Sequence, residues 1–265
     1  MLSGPHADIA DAWITKSYAE IHEIAAEDGS IVVVPVGSVE QHGHHLPVGT
    51  DSLLVSAVVG EATDRVDVPL LTTPPVWSGY SPHHLPFGGT ISLEFEHLLA
   101  VLEDVADTAL ENGFDAILFV NGHGGNKALL SSAVSTIGTD HPDSEVLGIT
   151  YFDLAASFID EIRDSDPGGM AHGGEFETAL MLHLYPDLVK EDRMEGTPLE
   201  EPYDQGLVDL VEFGPLSVYR PFDEYSESGA IGEPELGSAE KGAEILDRLG
   251  DELATLFQDV YERNR

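Results

Sequence analysis

The sequence predicts an α/β fold, a single-domain three-layer sandwich in which a mostly parallel central sheet is flanked by helices. Short apolar runs alternate along the chain with longer stretches of helical periodicity, which is the order of repeated βα units. Two of these runs, 31–36 and 116–120, are apolar throughout, as expected of strands buried on both faces. The chain has 265 residues, of which 42% are hydrophobic, so it can bury one large core.

The individual elements follow from their local patterns. In the segment 93–112, Leu98, Leu102 and Val105 recur at helical spacing and give the helix one apolar face. Prolines interrupt every pattern in the segment 185–235, which favours a long functional or interface loop. The remaining predicted elements are helices at 7–27, 51–64, 126–138, 152–163, 175–184 and 237–262, and strands at 31–36, 67–72, 115–120 and 145–150. We expect one domain spanning residues 1–265.

Composition disfavours several classes of partner. The chain has 11 basic and 49 acidic residues and a formal charge of -38, so binding to nucleic acid or to an anionic membrane surface is disfavoured. The acids are spread along the chain, and this composition resembles that of proteins from salt-loving archaea. There is no cysteine, so any metal site must use nitrogen and oxygen ligands. Because the sequence shows no secretory signal pattern and no 18-residue apolar stretch, we expect a soluble, cytoplasmic protein.

Histidine and carboxylate residues follow two of the predicted strands. Glu40 and His42 come after the run 31–36, and on an extended segment two residues at this spacing point the same way. Asp51 lies close behind them in the sequence. His123 follows the strand 115–120, and open α/β sheets bind ligands at such carboxyl ends.

A third cluster, His172-Gly-Gly-Glu175, opens a predicted helix, where the macrodipole favours a carboxylate. Its Glu175 brings the number of hard or borderline ligands to five, which is enough for two divalent cations such as Zn, Mn or Fe. Any single fragment of this kind also occurs by chance. Three clusters flanked by glycine have no ready structural explanation, and together they favour one metal site.

Five motifs follow one another along the chain. They are Pro35-Val-Gly-Ser-Val-Glu-Gln-His-Gly-His-His-Leu-Pro47 with Thr50-Asp51, Phe87-Gly-Gly-Thr-Ile-Ser-Leu93, Asn121-Gly-His-Gly-Gly-Asn126, His172-Gly-Gly-Glu-Phe-Glu-Thr178 and Gly229-Ala-Ile-Gly-Glu-Pro234. In this order they resemble the creatininase family of metal-dependent amidohydrolases, and the resemblance spans nearly the whole chain. It implies the creatininase-like α/β fold, two divalent ions, hydrolysis of a non-peptide or cyclic amide C–N bond in a small molecule, and a homo-oligomer, with hexamers in the family.

The resemblance implies four metal ligands, which are Glu40, His42, Asp51 and His123. Asp51 matches the carboxylate that bridges the two ions. Creatinine-hydrolysing members have a glutamate at the position of Gly125, so another residue must supply the fifth ligand. Members with glycine there have a glutamate three residues beyond the later histidine, and this implies Glu175. Glu177, two residues further along the helix, is expected to point away and to serve structural pairing.

The remaining site residues are also implied by the resemblance. His172 matches the catalytic histidine, whose role is to protonate the leaving nitrogen; a capping or core role is the alternative. His84 matches a family position and is expected to bind substrate. The backbone N–H groups of Gly124 and Gly125, at a helix start, are expected to help bind the oxyanion.

Departures from the family pattern limit the choice of substrate. Phe152 and Gly168 stand where creatinine-hydrolysing members have tryptophans, which argues against creatinine. Members with the Gly-Gly pattern resemble a formamidopyrimidine ribotide deformylase, which the composition favours, or a mycofactocin precursor peptide peptidase. A non-catalytic metal or small-ligand binding protein is a further alternative. A phosphoesterase is less supported because no basic residue lies within the three clusters; a ribotide phosphate would need Lys127 or Arg220.

Overall fold

A computed structural model describes residues 12–200, 203–212 and 214–265 of the chain. Its centre is a parallel four-stranded sheet in the order β2-β1-β3-β4. The strands are β1 (Ile31–Val36), β2 (Leu70–Thr72), β3 (Ala116–Asn121) and β4 (Glu145–Thr150).

Helices cover both faces of this sheet. In the described part of the chain they are α1 (Tyr18–Ala25), α2 (Thr50–Thr63), α3 (Phe95–Leu110), α4 (Lys127–Asp140), α5 (Glu175–Leu184) and α6 (Ala239–Asn264). Ile31 and Val33 of β1 pack with α2, α5 and α6, whereas Val32 and Val34 pack with α1, α3 and α4. Alternate residues of this strand thus lie in two hydrophobic cores, one on each face of the sheet. The predicted three-layer α/β fold is confirmed; the single-domain assignment stays a prediction.

Several boundaries differ from the predicted ones for local reasons. Strand β2 begins only at Leu70 because Pro69 has no N–H to donate to a ladder. The predicted helix 152–163 consists of two 3₁₀ turns, Tyr151–Ser157 and Ile159–Glu161. The predicted first helix, 7–27, is described from residue 12 onward, where a short 3₁₀ turn precedes α1; its first residues lie outside the described part.

The sheet brings the predicted clusters to one edge. Val36 at the end of β1 pairs with Asn121 at the end of β3, so the loops after both strands leave the sheet side by side. The first loop carries Glu40 and His42, and the second carries His123. No helix among the described residues is long and apolar enough to cross a membrane.

Candidate metal centre

His42 is oriented by its own backbone. Its Nδ1 lies 3.1 Å from the carbonyl oxygen of Glu40, which can only accept, so Nδ1 carries the proton. Its Nε2 lies 3.0 Å from Oδ1 of Asp51 and 3.6 Å from Oε1 of Glu177. An imidazole whose far nitrogen donates to a carbonyl and whose near nitrogen faces carboxylates is oriented as metal-ligating histidines are.

His123 has the same arrangement with its nitrogens exchanged. Its Nε2 donates to the carbonyl oxygen of Tyr80 at 3.1 Å. Its Nδ1 faces Oε2 of Glu40 at 3.1 Å and Oδ2 of Asp51 at 3.3 Å. The two oxygens of Asp51 thus face two different imidazoles, one on each side of the carboxylate.

These groups fit a pair of divalent cations. His42 Nε2 and Asp51 Oδ2 are buried without hydrogen-bond partners, although each lies close to other donor atoms of the cluster. Nitrogen and oxygen atoms that converge in this way are expected around a cation, and these donors suit Zn, Mn or Fe. Glu40, Asp51 and Glu177 bring three carboxylates into a nearly solvent-free site, which is costly without cations.

The metal-free cluster is strongly coupled electrostatically. Burial alone would raise the pKa of Glu40, but the adjacent His123 and His84 rings hold the pKa of this carboxyl well below its usual value. Burial alone would lower the pKa of His123, but Glu40 and Asp51 raise it to about 10. Without cations, His123 therefore keeps a proton on Nδ1 as well, and a cation must compete with that proton for this ligand atom.

The prediction for Glu175 is corrected by the structure. Its carboxylate accepts hydrogen bonds from the backbone N–H groups of Asp164 and Ser165 at 3.0 and 2.9 Å and forms an ion pair with Lys241 of α6. It therefore faces α6 and the 164–165 loop, away from the histidines. Residues two apart on a helix lie about 200° apart around its axis, so only one of the two glutamates can face the site.

Glu177 is the residue that faces the site. Its Oε1 lies 3.6 Å from His42 Nε2, and its Oε2 accepts the backbone N–H of Gly173 at 2.6 Å. The donor atoms of His42, His172 and Glu177 lie within 4.8 Å of one another. A sequence signal was present: Glu177 is the third residue of α5, the position from which a glutamate reaches back to the helix start in a capping box.

His172 lies beside the cluster with a fixed ring orientation. Its Nε2 donates to the carbonyl oxygen of Gln41 at 2.6 Å, so Nδ1 is unprotonated and lies 3.7 Å from Oε1 of Glu40. Burial, with a further contribution from His42 and His84, holds the pKa of His172 well below its usual value. The ring is therefore neutral and can accept a proton on Nδ1.

His84 is buried in the same site but is oriented differently from the ligand histidines. Its Nδ1 accepts from the side-chain amide of Gln41 at 2.9 Å, which places the proton on Nε2, 3.1 Å from Oε1 of Glu40. A protonated nitrogen cannot ligate a metal, so His84 and Gln41 orient Glu40 and His172. The role of Gln41 was missed in the sequence, where it stands unremarked between two predicted ligands.

A cavity of about 510 Å³ opens onto the cluster. Glu40, His123 and His172 form part of its floor, and Gly124 and Gly125 border it. Its roof comes from the long 185–235 segment and is mainly apolar or aromatic, with Leu199, Leu207, Leu210, Leu216, Tyr219, Phe222 and Tyr225. His83 and Phe222 also line this cavity.

The two positions noted for creatinine recognition contribute no ring to the cavity. Phe152 is buried in the core against Tyr151, with ring centroids 5.5 Å apart. Gly168 has a positive φ of 101° and lies against the backbone of Leu199. The flat face that a creatinine ring would need is absent at both positions.

Comparisons with known proteins identify relatives of this chain and solved structures with a similar fold. The family described as creatininase, creatinine amidohydrolase, matches residues 15–257. The mycofactocin precursor peptide peptidase of Mycolicibacterium smegmatis is 32% identical over 242 residues, covering 89% of this chain and 85% of that protein. The creatinine amidohydrolase of Pseudomonas putida is 30% identical over 257 residues, covering 90% and 92%. A solved structure described as creatininase Mn superposes with a TM-score of 0.81 at 27% identity, covering 94% of this chain and 98% of that one.

Proposed function

The chain belongs to the creatininase family, and from this membership and the geometry of the metal centre we propose that it is a metal-dependent hydrolase of amide C–N bonds. The observation that carries the proposal is the arrangement around Asp51, whose two oxygens face Nε2 of His42 and Nδ1 of His123 at 3.0 and 3.3 Å. A carboxylate held in this way is suited to bridge two ions.

The proposed ligand sets divide the cluster in two. Glu40, Asp51 and His123 would hold one divalent ion, and His42, Asp51 and Glu177 would hold the other. Two ions so held would supply a Lewis acid for the amide carbonyl and a water acidic enough to ionise near neutral pH.

The surrounding residues supply proton transfer and binding of developing charge. His172 keeps its Nε2–H on the carbonyl of Gln41, so Nδ1 is the atom that accepts a proton and passes it to the leaving nitrogen. The backbone N–H groups of Gly124 and Gly125, in the turn that precedes α4, are assigned to the carbonyl oxygen as it gains charge. A protein that only stores metal has no need of His172, which favours catalysis over simple binding.

The substrate class is an amide other than creatinine, because neither Phe152 nor Gly168 offers a ring to the cavity. A formamide on a ribotide scaffold is one candidate, and Lys127 and Arg220 border the cavity where they would meet its phosphate. A peptide is the second candidate, because a mycofactocin precursor peptide peptidase is among the relatives and the apolar roof suits a peptide side chain.

An activity screen tests the proposal. Chelator-treated protein is reloaded with Zn, Mn or Fe and assayed against formamides, cyclic amides and short peptides, with the His172→Ala variant as the matched control. Metal-dependent hydrolysis of one amide class that falls about 100-fold or more in the variant is expected. Tight metal binding without hydrolysis of any amide would support the non-catalytic alternative, and hydrolysis of phosphate esters alone would support a phosphoesterase.

Two further properties stay proposals of the same kind. The family resemblance implies a homo-oligomer, with a hexamer expected, and composition implies a cytoplasmic protein. Light scattering of the metal-loaded protein in molar KCl measures the first property directly.

A further inference from the structure

A row of three histidine rings crosses the floor of the cavity. His84 is the middle ring, with its centroid 4.3 Å from that of His83 and 4.4 Å from that of His172. Phe222, from the long segment, lies over all three at 4.8, 4.4 and 5.2 Å. His83 and His172 thus occupy opposite ends of the row under one aromatic cover.

His83 also occupies the space that the glycine at position 125 leaves open. A side chain at Gly125 would overlap His123 Nε2, and its Cβ would lie 2.6 Å from the carbonyl oxygen of Tyr80 and 2.9 Å from Cε1 of His83. The ring of His83 stacks parallel to that of His123, with centroids 5.7 Å apart and planes 5° apart. The orientation of His83 is therefore set by a ligand ring on one side and by Phe222 on another.

The ring nitrogens of His83 differ from those of its neighbours in their hydrogen bonding. His84 and His172 each have a nitrogen committed to Gln41. Within the described ranges neither nitrogen of His83 takes part in a hydrogen bond, and the half-buried ring borders the cavity. A polar group oriented by packing, open to a binding cavity and without a protein partner is suited to bind a ligand.

We propose that His83 is a substrate-binding residue that forms a hydrogen bond with a polar group on the acyl side of the amide. The inference rests on the proposed function, in which the leaving nitrogen faces His172. With the amine side at that end of the row, the acyl side of an amide lying across His84 reaches His83. An imidazole can donate from one nitrogen and accept at the other, which suits the N–H and C=O of a peptide. A formyl group has only a hydrogen atom on its acyl side and cannot form this hydrogen bond with His83. The cavity therefore selects peptide-like amides over formamides.

Two hydroxamates test the proposal by isothermal titration of the metal-loaded protein. Acetohydroxamate has only a methyl group on its acyl side, whereas N-acetylglycine hydroxamate carries an amide there. The wild type is expected to bind the second compound about 3- to 10-fold more tightly, the usual range for one neutral hydrogen bond. His83→Phe keeps the ring contacts and should lose this preference while it binds acetohydroxamate unchanged.

His97→Phe is the matched control, because His97 is an exposed histidine in the first turn of α3. It should keep both affinities. His83→Gln, which retains a donor and an acceptor, should keep part of the preference and replaces His83→Phe if that variant does not fold.

The proposal is overturned if His83→Phe retains the preference or loses metal in elemental analysis. It is equally overturned if this variant loses affinity for both hydroxamates by the same factor. It is also overturned if the wild type shows no preference. Hydroxamate binding needs no turnover, so a wild type that binds both compounds with the expected preference but hydrolyses no amide contradicts the proposed function and leaves the role of His83 intact.

Discussion

Exchanging one glutamate of α5 for glutamine should remove one metal ion, while the same exchange two residues away should remove none. Glu177 is one of three residues around the proposed second ion, with Oε1 3.6 Å from His42 Nε2. Glu175 instead accepts two backbone N–H groups and pairs with Lys241. The two variants remove the same charge from the same helix, so each controls for the other.

Glu177→Gln should change metal affinity, whereas Glu175→Gln should change the stability of the fold. Loss of a residue that orients a metal ligand lowers metal affinity by about 10- to 100-fold. Glu177→Gln removes a direct ligand, so it should lower the affinity for the second ion by at least about 100-fold, or roughly 2.8 kcal/mol. Glu175→Gln loses a charge-assisted bond to Lys241, whose side chain is 16% exposed. It should lower the free energy of unfolding of the metal-free protein by about 1–3 kcal/mol and leave metal binding unchanged.

The assay combines titration of chelator-treated protein with Mn²⁺ and thermal unfolding of the metal-free forms. Glu177→Gln should bind one equivalent where the wild type binds two, with a melting temperature close to that of the wild type. Glu175→Gln should bind two equivalents and melt earlier. If Glu175→Gln lost an ion while Glu177→Gln kept both, the proposal that Glu177 is the metal ligand from α5 would be refuted.

Four other outcomes are expected. Asp51→Ala should lose both ions in elemental analysis, and full retention would disprove bridging. His172→Ala should keep both ions and lower kcat on the true substrate by about 100-fold or more; unchanged turnover would make its role structural. Burial alone raises the pKa of Glu175, but Lys241 and Ser165 hold it below 4.5. The contribution of Glu175 to stability is therefore present above pH 4.5 and is lost as the pH falls through the folded pKa. The free energies of unfolding of wild type and Glu175→Gln, measured with urea, should therefore converge in acid. With a formal charge of -38, the melting temperature should rise from dilute buffer to molar KCl, since the Debye length shortens from about 30 Å at 0.01 M to about 3 Å at 1 M; a flat profile would refute the halophilic interpretation.

Local patterns were sufficient for the strands and for the position of the site in the sheet. The runs at β1 and β3 are apolar on both faces, which only a covered parallel strand requires, and the polar residues that follow them had to leave the sheet at its carboxyl edge. Glu40, His42, Asp51 and His123 were predicted as one cluster for this reason, and the structure brings them together.

The structure alone decided which face of α5 meets the site and which residues close the cavity. Both Glu175 and Glu177 are buried, so burial of α5 does not distinguish them. Lys241, 66 residues further along the chain, pairs with Glu175 and leaves Glu177 facing His42. Phe222 likewise reaches His83 from a segment without regular periodicity. The sequence determined the ligand chemistry and the strand ends because these depend on near neighbours. The rotation of a helix and the path of a long loop depend on contacts between residues far apart in the chain, and only the tertiary structure contains them.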